Sequence, residues 1–553
     1  MQAPLVRLPG LEAAMSDELL PPRADDIYRR GLDALEHGHD EQAITLLTQV
    51  IQANPDWALA YNDRGDAYFS LKGWDAALSD YRAAIARDPD LVAAHLNIGY
   101  TLAAQGDHLA ALDAYAEALE RAPDEAEVYI ARGEAYTALG HHANAINEYT
   151  EAIALEPDLV EAFVARGDTF MAREEWDLAA QDYDEAIGQS GVDDDVTDLL
   201  VRLARARLEF GDYPQAIEHL ETAEEAGERA DIYALRGRAS LRLELFEDAL
   251  EDYNRALALD PTLVEAYAER AETHQALDED DAALSDYAAA LSLRPDDPEL
   301  LVARAACRAD LGDLPGAIAD YDHALQIAPQ ADTYNQRGDA RYDVGDYGGA
   351  VADYSRAIEL DADLGEAWRN RGDAHWALGD HAAASHDYTQ AIEVDPEDPV
   401  AYNNRGDALY DRGRVYAAIV DYGRALELDP KFTTALNNRG LAYLAVNDAD
   451  AAQSDLTAAL DLDPEYVEAY VHRGDALVQL ERPQEALTDY DRALDLDPRT
   501  VDAYRGRAEA HTALGDIAAA IVDLESALRV ADLDAEERRE IEATLVRHRM
   551  QRP

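Results

Sequence analysis

Lysine is almost missing from this sequence. Of 47 basic residues only Lys72 and Lys431 are lysines, and the 47 face 115 Asp and Glu, for a formal net charge of −68 over 553 residues. A surface this acidic repels phosphate backbones, so nucleic acid is not expected as a partner. The same repulsion argues against anionic membrane surfaces. Two origins fit the acidity: a high-salt cytoplasm, or a genome biased toward Asp, Arg and Ala codons. Cysteine is reduced to Cys307, so no intrachain disulfide can form. No run of 18 apolar residues occurs, so no helical membrane span is expected. The first residues lack a basic stretch followed by an apolar core, so no secretory signal is read there, and a cytoplasmic location is expected. Met15 opens MSDELLPPRADD in the manner of a natural start, which would leave residues 1–14 as an upstream extension. Signatures of chemistry are missing too. There is no GxxxxGK[ST], no GxGxxG after a strand, no HExxH and no GxSxG. Asp193, Asp194, Asp195 and Asp198 lack the alternating spacing and the glycine of a calcium loop. No catalytic residue, cofactor or metal is therefore expected, and the chain is not read as an enzyme.

What is present is repetition. Residues 401–430 read AYNNRGDALYDRGRVYAAIVDYGRALELDP. Tyr402, Gly406 and Leu409 share one face of a first helix, at spacings of four and three. Gly413 interrupts that pattern. Ala418, Tyr422 and Ala425 make the stripe of a second helix, and Pro430 ends it. One such hairpin cannot bury its own stripe, so it must stack on copies of itself. Fifteen copies align, beginning at Ala24, Ala58, Val92, Ala126, Val160, Thr197, Ala230, Val264, Pro298, Ala331, Gly365, Pro399, Thr433, Val467 and Val501. Position 20 is Ala in all of them, and position 8 is Gly or Ala. A close helix crossing explains both.

With small residues at 8, 20 and 27, an aromatic at 24 and Pro at 32, the chain resembles the tetratricopeptide repeat family. The resemblance implies an all-α fold: an α-solenoid, a right-handed superhelix of antiparallel helix hairpins with a concave groove. Residues 1–23 then form a leader, 24–193 repeats one to five, 194–229 an irregular junction with a divergent sixth repeat, 230–534 repeats seven to fifteen, and 535–553 a capping helix and tail. The junction is a candidate bend, and Ile541, Leu545 and His548 make the stripe of the capping helix.

One departure from the family stands out. Its usual aliphatic residue at position 7 is replaced here by Arg in thirteen copies, and position 23 is acidic in twelve. The third copy, with Ile98 and Ala114, and the sixth, with Leu203 and His219, lose both together. In an antiparallel hairpin the two positions lie at similar heights, so an internal Arg–acid pair is expected in each.

The family places positions 2, 5, 6, 9, 12 and 13 of the first helix on the concave face. Between residues 331 and 466 that face would carry Asn335, Gln336, Arg369, Asn370, Asn403, Asn404, Asn437 and Asn438, with Asp339, Asp373 and Asp407, and with Tyr342, Trp376 and Tyr410 at position 12. Amides can both donate to and accept from an extended peptide backbone. Aromatics offer apolar pockets for its side chains. This resembles the Asn-lined groove of the repeat domain of O-linked N-acetylglucosamine transferase. The Lys and Asn set of chaperone-tail clamps is absent. As exposed helix positions, Asn370, Asn404 and Asn438 are expected to accept Ala without loss of stability. The leading expectation is a protein-interaction scaffold whose acidic groove binds an extended or basic peptide segment. A regulatory subunit of an enzyme or assembly complex, and a haloadapted solenoid without a groove ligand, are the alternatives.

Overall fold

A computed structural model describes residues 22–191, 195–530 and 535–551. Residues 1–21 of the leader and 192–194, where the fifth repeat meets the junction, lie outside the described residues, so the readings made on them are not taken further. Among the described residues there are thirty-one α-helices and no strand. Two compact units, Met1–Leu277 and Asp278–Pro553, divide it.

Within a repeat the local chemistry is legible residue by residue. In the Pro399 repeat the helices run Pro399–Asp411 and Val415–Leu428. The turn between them needs one left-handed residue. All fifteen repeats place a positive φ at position 15: glycine in nine, such as Gly413 at 72°, and Lys72, Glu174, Glu244, Asp278, Asn447 and Glu481 in the other six. At position 16, Asp107, Asp313, Asp346, Asp380, Asp448 and Asp516 each accept a backbone N–H three residues on, which caps the second helix.

The small residues have the close-packing role expected of them. Ala is wholly buried at position 20 in every repeat. A Cβ added to Gly406 would stand 2.5 Å from the Tyr422 ring, and the same conflict recurs at Gly65 with Tyr81, Gly338 with Tyr354 and Gly372 with Tyr388. The tyrosine therefore lies on the glycine of its own hairpin, where it is almost fully buried. Gly406→Val is expected to cost about 3 kcal/mol by overpacking, checked by urea unfolding.

Stacking follows the same logic. In both units the first helices of successive repeats touch one another, and no comparable contact joins successive second helices among the described residues. The side on which layers crowd is the inner side, so the first helices line the concave face. The divergent sixth repeat forms an ordinary hairpin, Thr197–Phe210 and Tyr213–Glu224, packed against both neighbours in the first unit. The boundary between the two compact units falls within the Val264 repeat, between Leu277 and Asp278. At the far end of the second unit the Ala535–Gln551 helix buries Ile541 and Leu545 against Ile521 and Leu524. His548 Nε2 lies 2.8 Å from the Thr512 hydroxyl.

Candidate functional site

Two layers of polar contacts tie the repeats together, and they decide which groups the concave face presents.

The first layer is the arginine at position 7. Arg405 donates from Nε to Asp421 at 2.7 Å and from Nη2 to its other oxygen at 2.8 Å. The pair is half-buried on the Arg side and nearly enclosed on the Asp side, with 8% of the carboxylate side chain exposed. The guanidinium also stands over the Tyr402 ring at 5.5 Å. The same pairing joins Arg64 to Asp80, Arg132 to Glu148, Arg166 to Asp182, Arg371 to Asp387, Arg473 to Asp489 and Arg507 to Asp523, as the spacing predicts. A further reach was not foreseen. The remaining nitrogen bonds position 25 of the preceding hairpin: Arg64 to Thr48, Arg166 to Thr150, Arg371 to Ser355, Arg507 to Asp491. One side chain thus closes its own hairpin and fastens it to the one before.

The second layer contains the residues expected to meet a ligand. Asp407 accepts from Tyr422 Oη at 2.7 Å, from Asn438 of the next repeat at 2.9 Å and from Asn403 at 3.2 Å. Asp373 accepts from Tyr388 at 2.6 Å and Asn404 at 3.0 Å. Asp339 accepts from Tyr354 at 2.8 Å and Asn370 at 3.0 Å. Asn370 also reaches Asn335, and Asn438 reaches Asn403. Asn335, Asn403 and Asn437 are buried. Asn437 Oδ1 lies 2.9 Å from His472 Nδ1. These amides bond one another and the position-9 acids, within a repeat as Asn403 does to Asp407 and between repeats as Asn438 does to Asp407, and form a ladder that keys each repeat to the next. Gln336 leaves its Oε1 buried without a partner among the described residues.

The ladder is not confined to the second unit. Asn97 bonds Asn62 and Asp66, and Tyr81 bonds Asp66, in the same arrangement. Elsewhere the chemistry is exchanged: Arg202 meets Asp168 from position 6, and Arg238 at position 9 meets Glu269 at position 6. That exchange between position 9 and position 6 of the following repeat was the available sequence signal.

Other predicted groups stay within reach of solvent. Trp376 is 44% exposed. Its Nε1 donates to Asp411 of the next repeat at 3.0 Å, and its ring meets His381 edge-on at 6.0 Å. Tyr342, half-buried, leans on Tyr347 at 5.1 Å. Tyr410 is half-buried beside Leu409 and Tyr422. Arg369 is bound to Asp398 at 2.9 Å. Asp332, Asp343, Glu366, Asp411 and Glu468 are exposed on these helices. Cys307 is fully buried, and burial lifts its thiol to about 11.

Burial dominates the position-9 acids. It raises Asp339, Asp407 and Asp475 to about 6 from an ordinary 3.8, against the opposing pull of their tyrosine donors. The native state therefore holds these protons more tightly than the unfolded chain. Their contribution to stability is complete below the ordinary value and is lost as pH rises through about 6. The fall in net negative charge on acidification acts in the same direction, so Asp407→Asn separates the two. The gain in melting temperature on acidifying from about pH 7 to about pH 5 is expected to be smaller in the variant than in the parent. An identical gain would remove Asp407 from the effect.

Models described as "TPR repeat" match residues 65–106, 133–172, 338–379 and 406–447. Models described as "Tetratricopeptide repeat" match 201–263, 269–332, 437–498 and 473–535, together with 365–398 and 92–125. A curated relative, small glutamine-rich tetratricopeptide repeat-containing protein 2 of Saccharomyces cerevisiae, is 34% identical over 84 residues, 15% of this chain and 24% of that protein. The match thus spans about a quarter of the relative's length. Among solved structures, a chain of the APC/C hetero-tetramer Cut9–Hcn1 is 18% identical, with 89% of this chain and 96% of that one covered at a TM-score of 0.37. Yeast Tom70 is 17% identical, with 90% and 96% covered at 0.33. YrrB, titled as having an unusual peptide-binding site, is 23% identical, with 33% and 95% covered at 0.30. With these models matching hairpin after hairpin of the stack described above, the chain belongs to the tetratricopeptide repeat family.

Proposed function

We propose that the chain is a scaffold or adaptor that holds an extended segment, rich in Lys or Arg, along the first helices of residues 331–466. Proteins of this family bind other proteins, and this member is a repeat scaffold rather than an enzyme. The observation that supports the finer reading is the run of three consecutive ladder nodes at Asp339, Asp373 and Asp407. They fix four repeats in register, so the groups above them are held in place before a ligand arrives. Those groups are aromatic and acidic: Trp376, Tyr342 and Tyr410 beside Asp343, Glu366 and Asp411. Preorganisation reduces the entropy lost on binding, and the acids favour a cationic segment and speed its arrival at low salt.

Affinity capture from the source organism, at low and at high salt, tests this with the parent and Trp376→Ala side by side. A partner captured by the parent, weakened by salt and lost from the variant supports the groove. A partner set identical for both proteins would move the binding surface elsewhere.

A further inference from the structure

The face opposite the groove carries an anomaly in the Pro399 repeat. Along the outer side of the Val415–Leu428 helix, Tyr416 is 75% exposed and Val420 70% exposed. They occupy positions 18 and 22. In other repeats those positions are mostly small or polar: Glu247 and Glu251, Asp75 and Ser79, Asp450 and Ser454. Leu109 at position 18 and Val522 at position 22 are isolated exceptions, and only this repeat has both.

The charges around the pair are also unusual. Arg412 and Arg414 stand exposed at the start of the helix, and neither forms an ion pair among the described residues. No acid occupies the helix's first turn. Arginine at a helix N-terminus opposes the macrodipole, so helix stability does not account for these residues. At the other end of the same face is Glu427, with 68% of its side chain exposed and paired at 2.8 Å with Arg424 one turn before it. Between them Gly423 has no side chain, and a Cβ there would meet only Arg439, at 3.7 Å.

The order along the face is self-complementary. With a rise of about 1.5 Å per residue, Arg414 at the helix cap lies roughly 9 Å to one side of Val420 and Glu427 roughly 10 Å to the other, with Arg412 in the turn just before the helix. Two copies laid antiparallel about a twofold axis near Val420 bring Val420 onto its counterpart. Tyr416 then falls beside the open shoulder at Gly423, and the arginines meet Glu427. That is the isologous arrangement a twofold interface demands.

We propose that this face is where a second copy of the chain docks, forming an antiparallel dimer through the two Val415–Leu428 helices. The contact is small, and each copy carries −68, so association is weak at low salt and strengthens as salt screens the repulsion.

Sedimentation velocity of the full chain across a concentration series tests the proposal. In about 0.5 M salt the parent shows a monomer–dimer equilibrium. Val420→Glu weakens it about tenfold or more. That variant keeps its fold, because Glu218 and Glu251 already occupy the same position in other repeats. Reversing charge at one end, with Arg412→Glu and Arg414→Glu, weakens the dimer, as does Glu427→Arg alone. Combining all three restores it. A parent that stays monomeric at about 100 µM overturns the proposal. So does a dimer indifferent to Val420→Glu, or a combined variant that fails to recover.

Discussion

Arg405→Leu is expected to destabilise its hairpin by about 3 kcal/mol, because Asp421 then lies nearly enclosed without its bidentate partner. The same change removes the bond to Thr389 in the preceding hairpin. The loss should therefore spread to the Gly365 repeat. Adding Asp421→Ala should recover more than half of it, since the third repeat uses Ile98 with Ala114 in the same places. In a solenoid the effect of one hairpin is concentrated on itself and its neighbours, so it is read most sharply helix by helix. Native-state hydrogen exchange, read helix by helix, reports the local opening free energies. Additive effects of the two substitutions would show that the pair is not coupled.

The second large effect reverses an expectation drawn from sequence. Changing Asn370, Asn404 and Asn438 together to Ala should lower stability by about 3 kcal/mol in total. Each change strips one donor from a half-buried carboxylate shared with a tyrosine, at Asp339, Asp373 and Asp407. The better helix propensity of Ala returns a few tenths per site at most. Read as exposed positions, the same residues should have tolerated Ala without cost. A melting temperature unchanged in the triple variant would show that the ladder contributes nothing.

The contrast between the two layers shows what a repeat sequence discloses. Comparing copies inside the chain exposed the Arg–acid pair, because both members sit in one hairpin and vanish together at Ile98 with Ala114. The small residues at 8 and 20 were legible for the same reason. The amide ladder was not, because its members belong to different repeats, 31 residues apart from Asp407 to Asn438. Comparing position 9 with position 6 of the following copy would have shown it, through Arg238 opposite Glu269 and Asp168 opposite Arg202. Of the aromatics read at position 12, Tyr342 leans on Tyr347, whereas Trp376 is the more exposed. The bridging contact of Arg64 with Thr48 was hidden by the variety of residues at position 25, which includes Thr, Ser, Asp and Gly.

The central claim is that a partner meets the concave face of residues 331–466. Photo-crosslinking tests it most directly, with a benzophenone amino acid placed either at Tyr410 on the concave face or at Tyr416 on the outer one. Tyr410 should give adducts with a captured partner, and Tyr416 should give only crosslinked copies of the chain. Partner adducts from Tyr416 and none from Tyr410 would contradict the account.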